Sequence, residues 1–144
     1  MRIMAIDYGD ARTGVAISDA TGLLAGFTTV IHSRKAEQVA AELHKLIQQH
    51  KVDELVMGFP RNMDGTEGPR ADLYRAFAGQ LEELTGMTVN LWDERRTTIE
   101  AHQILHTGGK KMKQHKNTVD AVAATLILEG YLTRKKKESA HETK

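Results

Sequence analysis

The sequence predicts a single α/β domain in which a mixed β-sheet of five strands is flanked by helices. Two observations indicate this fold. Short apolar runs separated by turn residues open the chain, which predicts three consecutive strands. Farther along, strand-like runs alternate with amphipathic helical patterns, and a helical crossover returns the chain parallel to the preceding strand. Antiparallel strands followed by parallel ones give a mixed sheet.

The first three strands are contiguous along the chain. Residues 3–6 form a short apolar run, and residues 14–18 resume the same chemistry after a turn that contains two glycines, which predicts a hairpin. The turn residues 19–22 then lead into residues 23–31, a β-branched and apolar run that predicts the third strand.

A helix and a buried strand follow. Ser33 is suited to be the N-cap of an amphipathic helix that ends near His50, because apolar residues recur there at helical spacing. Residues 52–59 predict a fourth strand, which Pro60 ends because proline cannot donate a ladder hydrogen bond.

The rest of the chain alternates in the same way. Pro69 suits the first turn of a helix that Gly86 ends, and its expected buried stripe is Leu73, Phe77, Leu81 and Leu84. Residues 87–92 predict a fifth strand. Thr97 and Glu100 have the spacing of a capping box for a helix that ends at Gly108 and Gly109. Asn117 can cap a final helix with these core positions: Val119, Val122, Ala123, Leu126, Ile127 and Tyr131.

Composition limits the class of protein. The 144 residues fit one domain, expected over residues 1–133, with residues 134–144 as a charged and disordered tail. The absence of cysteine excludes disulfides and thiolate metal sites. The N-terminus is too short and too acidic for a signal peptide, and no apolar run reaches membrane-spanning length, so we expect a cytoplasmic protein that binds no membrane.

Charge is distributed unevenly despite a formal net charge of +1. Lys110, Lys111 and Lys113 form one basic cluster, and residues 134–137 form another. Such clusters can follow a phosphate backbone even on a nearly neutral protein. The alternative is a solvated loop and a solvated tail, which is the better interpretation of the tail.

Asp7 interrupts the first apolar run and needs an explanation. A carboxylate at the end of a buried strand loses hydration, and such groups are usually paired, hydrogen-bonded or bound to a cation. The alternative is that Asp7 ends the strand and caps the turn through an Asx-type hydrogen bond.

Further acids are expected at the same edge of the sheet. The carboxyl ends of parallel strands meet at one rim, and Asp93 and Glu94 follow the fifth strand as Asp7 follows the first. Asp120 lies in the first turn of the last helix, one turn before the small residues Ala123 and Ala124, which turns it towards the sheet. Its alternative role is a capping acid favoured by the helix dipole.

Converging carboxylates indicate a cation site. Without a cation they repel one another and their pKa values rise. Oxygen ligands without thiolates favour Mg²⁺ or Mn²⁺, and two such ions can promote hydrolysis of a phosphodiester. A competing zinc motif is weaker: His102 and His106 have the spacing of a helical zinc pair, but Gln103 stands where the glutamate would be.

Four motifs occur in a specific order along the chain. They are Asp7-Tyr8-Gly9 with Arg12-Thr13-Gly14, Gly58-Phe59-Pro60 with Asp64-Gly65, Asp93-Glu94-Arg95 with Thr97-Thr98, and Asp120-Ala121-Val122-Ala123-Ala124. In these motifs the sequence resembles the YqgF, or RuvX-like, nucleases of the ribonuclease H-like superfamily. The resemblance covers nearly the whole chain.

The resemblance implies a fold, a site and a substrate class. It implies a five-stranded sheet in the order 3-2-1-4-5 and a divalent-metal nuclease site of Asp7, Glu94 and Asp120. The implied substrates are the 5′ end of precursor 16S ribosomal RNA, which would place the protein in ribosome biogenesis, or Holliday junctions. Asp93 could replace or assist Glu94, although adjacent strand residues point to opposite faces.

The resemblance also implies contacts to nucleic acid. Arg12 and Arg95 would bind phosphates, a role that suits a planar and permanently charged guanidinium. The alternative for both is a structural salt bridge. Lys110, Lys111 and Lys113 would add backbone contacts, and we expect a monomer or a weak homodimer.

Two other classes of function remain open at this point. One is a nucleic-acid-binding module without catalysis, which would bind RNA with a steep salt dependence and not cut it. The other is an ATP-binding relative of the sugar-kinase and actin group, because Asp7-x-Gly9 before a hairpin also resembles their phosphate-binding strands. Those proteins need two lobes around the nucleotide, and this chain supplies one.

Overall fold

The computed structural model describes residues 1–21, 25–60, 68–93 and 116–142. This part of the chain forms five strands and three helices. In chain order they are β1 (Ile3–Asp7), β2 (Arg12–Ser18), β3 (Ala25–His32), α1 (Ala36–His50), β4 (Glu54–Phe59), α2 (Arg70–Thr85), β5 (Val89–Asp93) and α3 (Lys116–Glu142). The helix expected from Thr97 lies outside the described residues.

The strands form one mixed sheet in the order β3-β2-β1-β4-β5. The pairs β1–β2 and β2–β3 are antiparallel, whereas β1–β4 and β4–β5 are parallel. This confirms the predicted fold and strand order. The physical reason is the connection: short turns join the first three strands, and helices α1 and α2 carry the chain back to start parallel neighbours.

Each face of the sheet is covered by a different layer. Met4 and Ile6 belong to the core cluster that α1 and α2 close, whereas Ile3 and Ala5 belong to the cluster that α3 closes. Because strand side chains alternate between faces, this assignment determines the face on which each remaining residue of β1 lies. We call the two sides the α1/α2 face and the α3 face.

Some helix details differ from the sequence prediction. Helix α1 begins at Ala36, and the hydroxyl of Ser33 instead accepts a hydrogen bond from the backbone N–H of Lys35 in the preceding turn. On α2, Leu73 and Leu84 are 63% and 46% exposed. The buried stripe is formed by Ala71, Tyr74, Phe77, Ala78 and Leu81. The expected and the observed stripe both have helical spacing. The face that packs against the sheet is the one that contains the small residues Ala71 and Ala78.

The last helix is longer than expected. Its backbone continues past Thr133 to Glu142, through most of the segment expected to be a disordered tail. Lysine and glutamate lose little side-chain freedom in a helix, which explains how a charged segment can extend one. Among the described residues, no helix is long and apolar enough to cross a membrane.

Candidate active site

Asp7 is the last residue of β1 and is half-buried at the carboxyl end of the parallel strands. It pairs with Gly14 of β2 and shares a strand face with Ile3 and Ala5. Asp7 therefore lies on the α3 face, where a carboxylate at the rim can meet groups from β5 and α3.

The neighbouring parallel strand leaves room beside Asp7. Ile6 pairs with Met57, so Asp7 is in the row of Gly58 on β4. Val56 packs on the α3 face, and the alternation therefore places position 58 on that face too. Since Gly58 has no side chain, nothing from β4 fills the row between Asp7 and β5.

The register of β5 distinguishes the two adjacent acids Asp93 and Glu94. Trp92 packs into the cluster on the α3 face, and Val89 packs into the cluster on the α1/α2 face. Asp93, the last residue of β5, is thus at a position of the α1/α2 face. Glu94 lies outside the described residues.

Helix α3 covers the α3 face of the sheet, and its contacts with Glu54 show where it meets β4. Near its middle, the Tyr131 hydroxyl donates a hydrogen bond to the carboxylate of Glu54, and the Lys135 ammonium lies 2.8 Å from the same carboxylate. Glu54 is the first residue of β4, so this part of α3 lies at the amino end of the strand.

The distance along α3 from this contact to position 120 can be compared with the length of β4. Position 120 is eleven residues before Tyr131, about 16 Å along a helix, and β4 spans a similar length, about 16 Å from Glu54 to Phe59. Position 120 also precedes the buried residues Ala124 and Ile127 by four and seven positions, which is the spacing of one helix face. Position 120 is thus on the side of the helix that meets the sheet, and it is one strand length along the helix from Tyr131.

The turn after Asp7 is held from the α1/α2 face. The Tyr8 ring stacks on Phe77 at a centroid distance of 4.0 Å and meets the edge of Tyr74 at 5.5 Å. The Tyr74 hydroxyl also donates a hydrogen bond to the backbone carbonyl of Tyr8, 2.5 Å away. Burial raises the pKa of the Tyr8 phenol, and the carboxylate of Asp10 raises it further. Asp7 is therefore followed directly by a residue that is fixed by its ring and by its carbonyl.

Tyr74 is a site-supporting residue that the sequence reasoning missed. It is 4% exposed and belongs to the buried stripe of α2. A buried tyrosine usually finds a hydrogen-bond partner for its hydroxyl, which was the available signal. The partner is 66 positions away in the sequence, so the pattern of α2 alone could not identify it.

The β1–β2 turn requires glycine at position 9. A Cβ at Gly9 would lie 2.5 Å from the backbone carbonyl oxygen of Arg12. The chain comes this close because only four residues connect Asp7 to Arg12. The turn thus brings the start of β2 next to the end of β1.

Arg12 lies beside Asp7 on the same face of the sheet. It precedes Gly14, the partner of Asp7, by two residues, so the alternation places it on the α3 face as a diagonal neighbour of Asp7. Arg12 is exposed. The structure thus brings two of the predicted site residues together. Arg95, Lys110, Lys111, Lys113 and the histidine pair His102 and His106 lie outside the described residues.

The donor chemistry of the expected site fits a divalent cation. Asp7, Glu94 and Asp120 offer carboxylate oxygens, and hard cations such as Mg²⁺ and Mn²⁺ prefer oxygen ligands. The side chains of Glu94 and Asp120 are not among those that the structure describes. Within the described set, no group of three histidine, aspartate or glutamate side chains could hold a metal ion.

Comparison with known proteins identifies the family. The family model for RuvX, described as a Holliday junction resolvase, matches residues 1–134. A protein of Carboxydothermus hydrogenoformans named "Putative pre-16S rRNA nuclease" is 44% identical over 137 residues, covering 95% of this chain and 99% of the relative. A protein of Halothermothrix orenii with the same name is 42% identical, covering 95% of this chain and 98% of the relative.

A solved structure shows the same fold at low sequence identity. Thermus thermophilus RuvC in complex with a Holliday junction substrate is 12% identical with a TM-score of 0.58, covering 88% of this chain and 91% of RuvC. This likeness concerns the fold, which is the ribonuclease H-like fold expected from the sequence. The RuvX family model matches residues 1–134 of the chain, and the two relatives are more than 40% identical to it. The chain therefore belongs to the RuvX family.

Proposed function

We propose that the protein is a divalent-metal-dependent nuclease that hydrolyses phosphodiester bonds in the 5′-end processing of pre-16S ribosomal RNA, in the cytoplasm. The observation that carries this proposal is the half-buried carboxylate of Asp7 at the carboxyl end of the parallel strands, on the face that α3 covers. We infer that Asp120, from the beginning of α3, and Glu94, which follows β5, join Asp7 at this rim.

The relatives support RNA as the substrate. The proteins of Carboxydothermus hydrogenoformans and Halothermothrix orenii are both named for pre-16S rRNA, and each aligns with nearly all of this chain. The family model covers residues 1–134, which include Asp7, Glu94 and Asp120. We therefore assign the same substrate class to this protein.

Each site residue has a distinct task. Asp7, Glu94 and Asp120 would hold Mg²⁺ or Mn²⁺, and such an ion would supply Lewis-acid stabilisation of the negative charge that develops on the phosphate oxygens. Arg12, the diagonal neighbour of Asp7, binds a phosphate oxygen, and Arg95 does the same from the end of β5. Lys110, Lys111 and Lys113 contact the nucleic-acid backbone farther from the cleaved bond.

The assignment of Asp7 is tested by a matched pair of variants. Asp7→Asn removes a ligand charge at the rim, and Asp10→Asn removes an equal charge from the exposed part of the same turn. With precursor ribosomal RNA and Mn²⁺, we expect Asp7→Asn to lose at least about a hundredfold in cleavage rate and Asp10→Asn to stay near wild type. Equal cleavage by wild type and Asp7→Asn would sink the site assignment.

The same experiment separates a nuclease from a binding module without catalysis. A module would bind the RNA with a steep salt dependence, yet even the wild-type protein would leave it intact at every metal concentration. An ATP-binding function predicts a rise in melting temperature with ATP, and we expect none.

Cleavage of Holliday junctions is the second candidate. The description of the RuvX family model and the RuvC-like fold favour it. Junction resolution needs two active sites, and hence a dimer, whereas cleavage of one RNA strand needs a single site. Assaying both substrates with one preparation, with Asp7→Asn as the control, decides between them: we expect faster cleavage of the RNA.

A further inference from the structure

We propose that Arg70, in the first turn of α2, binds a phosphate of the nucleic acid next to the one cleaved at Asp7, and that Tyr74 fixes its guanidinium for this contact. The inference rests on the proposed nuclease function and adds a residue on the side of the rim opposite to Arg12.

The location follows from two consecutive hydrogen bonds. A guanidinium nitrogen of Arg70 donates to the Tyr74 hydroxyl at 2.9 Å, and that hydroxyl donates to the carbonyl of Tyr8 at 2.5 Å. Tyr8 directly follows Asp7. The charge of Arg70 is thus two hydrogen bonds away from the residue that follows the expected metal ligand, across the sheet edge from the Asp7 side chain.

The guanidinium is held in place. Its central carbon lies 5.5 Å from the centroid of the Tyr74 ring, a cation–π distance, and the ring itself is buried against Tyr8. Arg70 as a whole is exposed. An arginine that is anchored by an aromatic residue and still reaches solvent loses less side-chain entropy when it binds an anion.

The guanidinium of Arg70 has N–H donors that remain available for a ligand. Arginine has five N–H donors, and the Tyr74 hydroxyl accepts from one nitrogen. Among the described residues, no carboxylate forms an ion pair with Arg70. A phosphate, with several acceptor oxygens, matches the guanidinium fork.

The β1–β2 turn is acidic, so a positive charge at Arg70 would help a phosphate to approach it. Asp7 and Asp10 both lie within three residues of the Tyr8 carbonyl, and both would repel an approaching phosphate. If Arg70 only supported the Tyr74 hydroxyl, a neutral donor would serve equally. The charge of Arg70 is therefore the property to test.

The experiment measures binding without cleavage. The parent protein carries Asp7→Asn, and the probe is a fluorescein-labelled RNA stem-loop with a single-stranded 5′ extension, titrated over a series of KCl concentrations. We expect Arg70→Gln to weaken binding about three- to tenfold at low salt and to reduce the slope of log affinity against log salt by about one phosphate contact, or 0.7 to 0.9.

Two variants separate a phosphate contact from a structural role. Tyr74→Phe removes the hydroxyl that positions the guanidinium but keeps the cation, so it should weaken binding less than Arg70→Gln does while the salt slope stays at the parent value. Lys45→Gln removes one positive charge from an exposed position on α1 and should change neither the slope nor the affinity beyond twofold. Arg70→Lys should keep the slope and lose part of the affinity, because the charge remains but the fork is gone.

The outcomes are decisive and independent of the nuclease assignment. A slope for Arg70→Gln equal to that of the parent, or equal losses of slope in Arg70→Gln and Tyr74→Phe, would overturn the proposal. If Arg70→Gln lowers the melting temperature, the slope is measured well below it, and Arg70→Lys must still match the parent slope. Failure of wild type to cleave RNA, with the slope difference intact, would reject the nuclease function and leave the phosphate contact standing.

Discussion

The hydroxyl of Tyr131 donates a hydrogen bond to the carboxylate of Glu54 and so ties α3 to the start of β4. The Lys135 ammonium pairs with the same carboxylate at 2.8 Å, with the two side chains 34% and 23% exposed. Glu54 is at the amino end of β4, whereas Asp7 is at the carboxyl end of β1. The contact fixes the position of α3 along its own axis relative to β4.

Tyr131→Phe should lower the free energy of unfolding by about 1 to 2 kcal/mol, because the hydroxyl donates to a partly buried carboxylate. Urea denaturation at neutral pH measures the change. Thr133→Ser, which keeps a hydroxyl on an exposed part of the same helix, is the control and should stay within about 0.5 kcal/mol of wild type. A Tyr131→Phe protein as stable as wild type would mean that the contact does not hold α3.

Glu94→Gln should abolish cleavage, whereas Asp93→Asn should retain most of it. The reason is the alternation of β5, which places Asp93 on the α1/α2 face and favours position 94 on the face of Asp7. We expect Glu94→Gln to be slower by at least about a hundredfold and Asp93→Asn by less than about tenfold. The reverse order in a Mn²⁺-dependent cleavage assay would require a bulge at the end of β5.

Gly9→Ala should destabilise the protein by about 1 to 3 kcal/mol, because its Cβ would lie 2.5 Å from the carbonyl oxygen of Arg12 and the turn would have to move. Gly79→Ala on α2 is the matched control, since its Cβ would meet no atom within 4 Å. That variant should gain about 0.5 to 1 kcal/mol from helix propensity. If both substitutions had the same effect in urea denaturation, the close approach at Gly9 would be without consequence.

Stability should fall at alkaline pH partly because of Tyr8. Burial raises the pKa of its phenol in the folded protein above the ordinary value of 10.0, with a further contribution from Asp10. The unfolded chain therefore loses its proton first, and stability that is complete below pH 10 declines as pH rises through the folded pKa. Melting temperatures across the alkaline range should drop less steeply for Tyr8→Phe than for wild type. Parallel curves would contradict this expectation.

The sequence predicted the fold well where the determining signals were local. The β1–β2 hairpin follows from apolar runs around a glycine turn, and Gly86 ends α2 with a φ of 72°, the left-handed value expected of a C-terminal glycine. The strand order came from the resemblance to a family, since alternating patterns alone allow several orders.

Tertiary packing decided what the sequence could not. Leu73 and Ala71 both fit a helical stripe, and the buried choice was Ala71, which allows α2 to approach the sheet. The Tyr74–Tyr8 hydrogen bond joins residues that no local pattern relates. Of the candidate site, Asp7 and Arg12 occupy the expected edge and face, while the roles of Asp7, Glu94 and Asp120 as metal ligands stay a prediction.

The tie between Tyr131 and Glu54 makes the length of chain between positions 120 and 131 critical. Inserting one residue there would rotate position 120 by about 100° around the helix axis and move it by about 1.5 Å, which would turn it away from the sheet. Inserting four residues would nearly restore the direction but move the position about 6 Å beyond the rim. Evolution can therefore change the sequence of this segment far more easily than its length.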